Sequence, residues 1–265
     1  MAPTQAIEPA DTPVTEKDPY ARPCAGLGWA LALGTAAVAS TLLFRIFNRT
    51  RVEGRENLPQ RYANVLYCLN HNSLIDNFAF GSQCFMRRML LEPESLPYNL
   101  ADRRNFFGDP ESPRLKDKVL HLLGKHFFGR LRAYPVDRKK GDLSQVDRWA
   151  DLLRDNSVVV FPEGTRSRTG DIGPGKLGVG KLIYMARPTV IPVFQGGTEK
   201  ILGVGARLPR PFNTLHIRIG QALDLSDLID PPLPAEEADQ FVRYKAISDR
   251  VIGAIRALEP DEVPA

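Results

Sequence analysis

Beyond residue 50 the chain alternates short apolar runs with longer stretches of helical spacing. ANVLYCL (63–69), SVVVF (157–161), TVIPVF (189–194) and LHIRIG (215–220) have the length and composition of buried strands. Residues 97–101 and RAYPV (132–136) are weaker strand candidates. Between these runs, apolar positions recur every three or four residues. This is seen in LIDNFAFGSQCFM (74–86), LKDKVLHLLGKHF (115–127), LSQVDRWADLLRD (143–155), KLGVGKLIYMA (176–186) and a closing stretch over 235–258. Ser144 is placed to cap the third of these helices, and residues 102–114 read as a loop rich in breakers. Strands alternating with helices predict an α/β layer fold, and no internal repeat is present.

The amino-terminal part has a different texture. Residues 1–24 are polar, carry five prolines and show no periodicity, so a disordered tail is expected. No charge then falls between Arg22 and Arg45. Residues 25–47 are long enough for a helix that crosses a bilayer, about 30 Å over about 20 residues. Their Ala and Gly content fits a half-inserted interfacial helix equally well. Five arginines (45, 49, 51, 55 and 61) follow this segment, against Lys17 and Arg22 before it. The positive-inside rule then places the rest of the chain on the cytoplasmic side of a membrane. AVAS (37–40) resembles a signal cleavage site, but a long tail bearing Glu8, Asp11, Glu16 and Asp18 is a poor basic n-region. The expected division is a tail over 1–24, the membrane-binding helix over 25–47, a main domain over 48–230, and a closing helix and tail over 231–265.

Overall charge excludes more than it selects. With 35 basic and 31 acidic residues the net charge is only +4, which does not describe a nucleic-acid binder. Three scattered cysteines form neither a disulfide framework nor a metal site, and the four histidines lack zinc-ligand spacing. Locally the balance changes. From Arg103 to Lys140 there are eleven Lys or Arg against four Asp or Glu, interleaved with Phe106, Phe107, Phe127 and Phe128. Such a stretch suits an anionic membrane surface or a phosphate-bearing substrate, and a solvated basic face explains it equally well.

Two motifs carry candidate chemistry. In LYCLNHNSLIDNF (66–78) an apolar run ends at Asn70 and His71, and Asp76 follows within the next helix's first turn. A carboxylate bonded to one imidazole nitrogen fixes the tautomer and leaves the other nitrogen as a base. No elbow-type serine nucleophile stands beside it. The simplest scheme therefore has a substrate hydroxyl, deprotonated by His71, attack an acyl group directly. In SVVVFPEGTRSRTG (157–170) a buried run meets Pro162 and is followed at once by Glu163, Gly164, Thr165 and Arg166. Gly164 permits a backbone conformation barred to other residues, Arg166 offers a planar fork to a phosphate, and Glu163 can accept from a hydroxyl. A third stretch, GKLGVGKL (175–182), fits G-x-x-x-x-G-K. Leu182 stands where a phosphate loop needs Ser or Thr, and no buried strand precedes it.

HNSLID (71–76) and FPEGTRS (161–167) together resemble the H-x4-D and second signatures of the glycerolipid acyltransferase family, which includes the 1-acylglycerol-3-phosphate acyltransferases. YPVDRKKG (134–141) is similar to that family's intermediate motif, with Arg138 as its arginine. VIPV (190–193) is similar to its last, proline-containing motif. The resemblance covers about residues 50–225. It implies a mixed, largely parallel central sheet flanked by helices, with an N-terminal membrane-binding helix. It implies His71 as general base and Asp76 as its orienting partner, with Arg138, Glu163, Gly164, Thr165 and Arg166 binding the acceptor's phosphate and glycerol. The implied reaction moves a fatty acyl group from acyl-CoA or acyl-carrier protein to the hydroxyl of lysophosphatidate or a related lysophospholipid. No metal or bound cofactor is implied. GVGKLIYMARPTVIPVFQGGTEKIL (178–202) looks like the corresponding region of the tafazzin branch, which implies CoA-independent phospholipid–lysophospholipid transacylation as the alternative. Residues 98–117 are expected to form a mobile, membrane-facing insert with Phe106 and Phe107 at the surface.

Overall fold

A computed structural model describes residues 25–109, 111–136, 143 and 145–260. The strands are β1 (Arg49–Glu53), β2 (Val65–Leu69), β3 (Tyr98–Asp102), β4 (Ala133–Val136), β5 (Ser157–Val160), β6 (Thr189–Gly196) and β7 (Thr214–Ile219). Among the described residues they form one sheet of seven strands in the order β1-β7-β6-β2-β5-β3-β4. Every neighbouring pair is parallel except β6 and β7. The expected mixed, largely parallel sheet is therefore present.

β2 lies between β5 and β6 and is buried along its whole length. Its side chains alternate between two cores, as a pleated strand with both faces covered must. Leu66 and Cys68 join the core built with helices Val146–Asp155, Leu177–Ala186 and Glu237–Arg256. Val65, Tyr67 and Leu69 join the opposite core, under the N-terminal helix and the helix that begins at Asp76. Gly175 and Gly180 of GKLGVGKL serve packing, because a Cβ on Gly180 would run into the Tyr244 carbonyl of the C-terminal helix and one on Gly175 into Ser248. That close approach is the physical reason for the glycine-weakened helix.

The apolar segment is a helix over Gly26–Thr41 that continues as a π-helical turn over Leu42–Ile46. Leu33, Ala36, Ser40 and Phe44 are buried against the domain. Leu27, Leu31, Val38, Leu42 and Ile46 fall on the other side and are exposed. Gln83 fastens the helix, donating to Ser40 Oγ (2.8 Å) and accepting from Arg45 Nε (3.5 Å).

Several local expectations change. RTRVE (49–53) forms edge strand β1, which its charged pattern did not announce. The helix of the first motif starts at Asp76 and runs, through a π turn, to Leu91. Within the expected loop over 102–114, Arg103–Phe106 is helical, its start capped by Asp102 accepting from Asn105 N. Phe107 is buried beside Ala101 and Ala133, so it is not the surface residue the basic stretch suggested. Arg132 is buried too. Its guanidinium donates to the carbonyls of Glu94 and Leu96 and lies over the Tyr98 ring. Arg138 and the Ser144 cap lie outside the described residues.

Candidate active site

The parallel strands β2, β5 and β6 are neighbours, so their carboxyl ends open on one edge of the sheet, where open α/β sheets place their sites. Beyond β2 the backbone runs through Asn70 to Ser73 before the helix begins. Asn70 ties this segment to β6 by imitating a strand neighbour: its Nδ2 donates to Gln195 O (2.8 Å) and its Oδ1 accepts from Gln195 N (2.7 Å). Asn72 Nδ2 adds a second bond to the same carbonyl (3.0 Å).

His71 and Asp76 meet as their spacing predicts. His71 Nδ1 lies 2.8 Å from Asp76 Oδ2, and the carboxylate is fully buried. The same oxygen accepts the amides of Asn72 (2.7 Å) and Ser73 (2.8 Å). An oxygen already accepting two amide protons acts as acceptor again, so Nδ1 carries the hydrogen and Nε2 keeps its lone pair. Among the described residues Nε2 has no hydrogen-bond partner, and the ring retains 10% of its side-chain exposure, enough for one reacting atom.

The second motif closes over the first. The Phe161 ring stacks on His71 with centroids 3.8 Å apart and planes 14° apart. Glu163 is buried, and both its oxygens are engaged: Oε1 accepts from His71 N and Oε2 from Gly173 N, each at 2.8 Å. Burial pushes its carboxyl above the ordinary value, while the two amides pull it back down. Gly164 turns the chain at φ +66°, its amide bonded to Phe161 O (2.9 Å). Ser167 N then returns to His71 O (2.7 Å).

Thr165 is exposed and Arg166 half-buried, on the turn between these two anchors. Arg166 makes no ion pair among the described residues. Lys176 is a neighbour that sequence reasoning passed over. Its side chain packs on Gly164 and its amide bonds Pro162 O (2.8 Å), so it puts a second cation beside the turn. Its only signal in the sequence was a place inside the rejected phosphate-loop pattern. The structure thus brings His71, Asp76, Glu163, Gly164, Thr165 and Arg166 together.

An apolar cavity of about 370 Å³ lies on the same side of the sheet as Leu69. Leu74, Ile75, Asn77 and Phe78, the residues around Asp76, form part of its wall. Leu33 and Ala36 of the N-terminal helix, Ala101 of β3, Ala133 of β4, and Phe127 and Phe128 between those strands also line it.

Comparison with known proteins follows this geometry. The family model described as Acyltransferase matches residues 49–195, more than half of the chain. A chloroplastic 1-acyl-sn-glycerol-3-phosphate acyltransferase of Brassica napus is 28% identical over 164 residues, covering 60% of this chain and 41% of that protein. The chain thus spans about two-fifths of the length of that relative. The 1-acyl-sn-glycerol-3-phosphate acyltransferase of Bacillus subtilis is 24% identical over 84% of this chain and 94% of its own. In fold, the chain is similar to the crystal structure of the 1-acyl-sn-glycerophosphate (LPA) acyltransferase PlsC from Thermotoga maritima. That match has a TM-score of 0.53 at 17% identity and covers 88% of this chain and 81% of that one. The match spans every strand that meets at the site, from β1 through β6, and both motifs: the chain belongs to the acyltransferase family.

Proposed function

We propose that the protein is a membrane-associated 1-acylglycerol-3-phosphate O-acyltransferase, taking an acyl group from a thioester of CoA or acyl-carrier protein to the free hydroxyl of lysophosphatidate. The observation that carries this reading is the His71–Asp76 bond at the carboxyl edge of the sheet, with Nε2 free and an apolar cavity alongside. The relatives named above, which are called 1-acyl-sn-glycerol-3-phosphate acyltransferases, support it.

In this mechanism Nε2 of His71 takes the proton of the glycerol hydroxyl as its oxygen attacks the thioester carbonyl. The tetrahedral intermediate collapses by breaking the C–S bond. The imidazolium, steadied by Asp76, returns the proton to the departing thiolate. Arg166, with Lys176 and with Arg138 from the intermediate motif, neutralises the acceptor's phosphate, while Thr165 faces the glycerol. Glu163 acts through His71: with both oxygens engaged, it holds the backbone that presents the base. The cavity takes the acyl chain, its wall being almost wholly apolar apart from groups such as Asn77 and Ser82. The proposed chemistry uses no metal. In this reading the exposed apolar side of the N-terminal helix lies in the membrane interface, and the arginines from residue 45 onward support a cytoplasmic site.

The test is an acyl-transfer assay in mixed micelles with acyl-CoA, acyl-carrier protein or intact phospholipid as donor, and lysophosphatidate or other lysophospholipids as acceptor. Thioester-dependent phosphatidate formation is expected. Transfer from intact phospholipid alone would replace this reading by the transacylase one, with the same base. Arg166→Ala should raise KM for lysophosphatidate several-fold and leave KM for the donor nearly unchanged. An equal rise in both would remove the phosphate role.

A further inference from the structure

Helix Leu115–Leu123, in the stretch between β3 and β4, is oriented against the usual rule. At about 100° per residue, Leu115, Val119, Leu122 and Leu123 fall on one stripe of about 100°, with Lys116 and Lys118 on its two borders. Such a stripe normally faces the core. Here it faces outward, with Leu115 77%, Val119 47%, Leu122 61% and Leu123 42% exposed, and no residue of the helix is buried. The side turned to the protein carries Asp117, Leu120 and His121, each half-buried, so one leucine faces inward against four apolar residues outward. Gly108, left-handed at φ +60°, leaves the space into which the Asp117 backbone packs.

The surroundings indicate what covers the stripe. The helix continues into the π turn Gly124–Phe128, whose Phe127 and Phe128 wall the apolar cavity opposite Leu33 and Ala36 of the N-terminal helix. Arg130, just beyond, lays its guanidinium against Gly28 of that helix. Two outward apolar stripes therefore belong to neighbouring elements. The cations beside the second one, Arg114, Lys116, Lys118 and Lys125, form no ion pairs among the described residues. Aliphatic residues bordered by lysines suit the headgroup boundary of an anionic bilayer, where the lysine stems stay apolar and their ammonium groups reach phosphate.

We infer that helix Leu115–Leu123 is a second membrane-docking element, lying stripe-down on an anionic lipid surface and setting the cavity wall at the level of the acyl chains. The docking stands on the helix geometry and is independent of the reaction; only the identity of the cavity's occupant rests on the proposed function.

The full chain should be floated with vesicles of phosphatidylcholine alone and with about 30 mol% phosphatidylglycerol. The Leu115→Ser/Leu122→Ser double variant should bind the anionic vesicles at least about tenfold more weakly. Lys116→Gln/Lys118→Gln should lose about fivefold per lysine on anionic vesicles and little on neutral ones. Because the N-terminal helix also contributes, a local readout is needed. In Leu122→Trp the added emission, measured against the parent, should be quenched by lipids brominated on their acyl chains. Unquenched emission, unchanged flotation of the serine variant, or a parent dimer that this variant dissociates would each overturn the inference. Acyl transfer in detergent micelles, run on the same variants, separates failure of the docking from failure of the reaction: reduced flotation supports docking even in a chain that transfers nothing.

Discussion

His71 is fixed by its neighbours at four places: Asp76 on the ring nitrogen, Phe161 on the ring face, Glu163 on the amide and Ser167 on the carbonyl. The ring substitution tests the chemistry. His71→Ala should lower kcat by at least about 100-fold, the lower range for a general base, in a protein whose far-ultraviolet signal shows that it still folds. A clean preparation that kept near-full activity would reject the base assignment. Asp76→Asn should lower the rate less, through loosened tautomer control. Glu163 separates two roles. If it braces His71, Glu163→Ala strands the buried His71 amide, an orphaned donor that costs about 1–3 kcal/mol, and frees the half-buried Gly173 amide. Denaturant unfolding should then show reduced stability alongside a lower kcat. A raised KM for the acceptor at unchanged stability would instead return Glu163 to the substrate. The residue types of this site were readable because strand ends bearing His, Asp, Glu and Arg are unusual chemistry. The division of labour was not, since it depends on which oxygen meets which amide.

At the scale of elements, legibility followed burial. β2, β5 and β6 stood out because strands covered on both faces read as unbroken apolar runs. β1 escaped notice because an edge strand with one face in water alternates Arg, Thr and Glu with little apolar content. The π turns at Leu42–Ile46, Gly81–Phe85 and Gly124–Phe128 left no mark in the apolar spacing. The cavity was invisible for a different reason. Its wall draws on the N-terminal helix, the helix after His71, β3, β4 and the stretch between those strands, and no window of sequence contains them. It nevertheless yields a prediction. Ala36 is buried and lines the cavity, so Ala36→Leu should shift donor preference toward shorter acyl chains, read as the ratio of kcat/KM for long and short thioesters. An unchanged ratio would place the acyl chain elsewhere.

Across the whole molecule, charge and pH act through buried groups. His216 on β7 is buried with Nε2 unpartnered, and Arg51, Glu53, Arg218 and Lys200 surround it. Burial, then Arg51, holds it below the ordinary histidine value, with Glu53 opposing. The unfolded chain therefore binds this proton more readily, so stability is full above the ordinary value and is lost as pH falls through it toward the lowered folded one. Glu163, displaced upward, contributes in the opposite sense: its share is present at acid pH and is lost as pH rises. Subtracting a variant isolates the histidine. Between about pH 7.5 and about pH 5.5, the parent should lose more unfolding free energy than His216→Leu. Equal losses would show that His216 is not the sensor. Glu163 and His71 also stand 92 residues apart, and Asn70 and Gln195 stand 125 apart. Asp76 is local to His71, but the Glu163 and Gln195 contacts that hold its segment form only when β2 pairs with β5 and β6, toward the slow end of folding. A half-folded chain thus carries His71 without the long-range contacts that hold its segment, whatever its local bond to Asp76. In refolding, recovery of activity should trail recovery of far-ultraviolet signal.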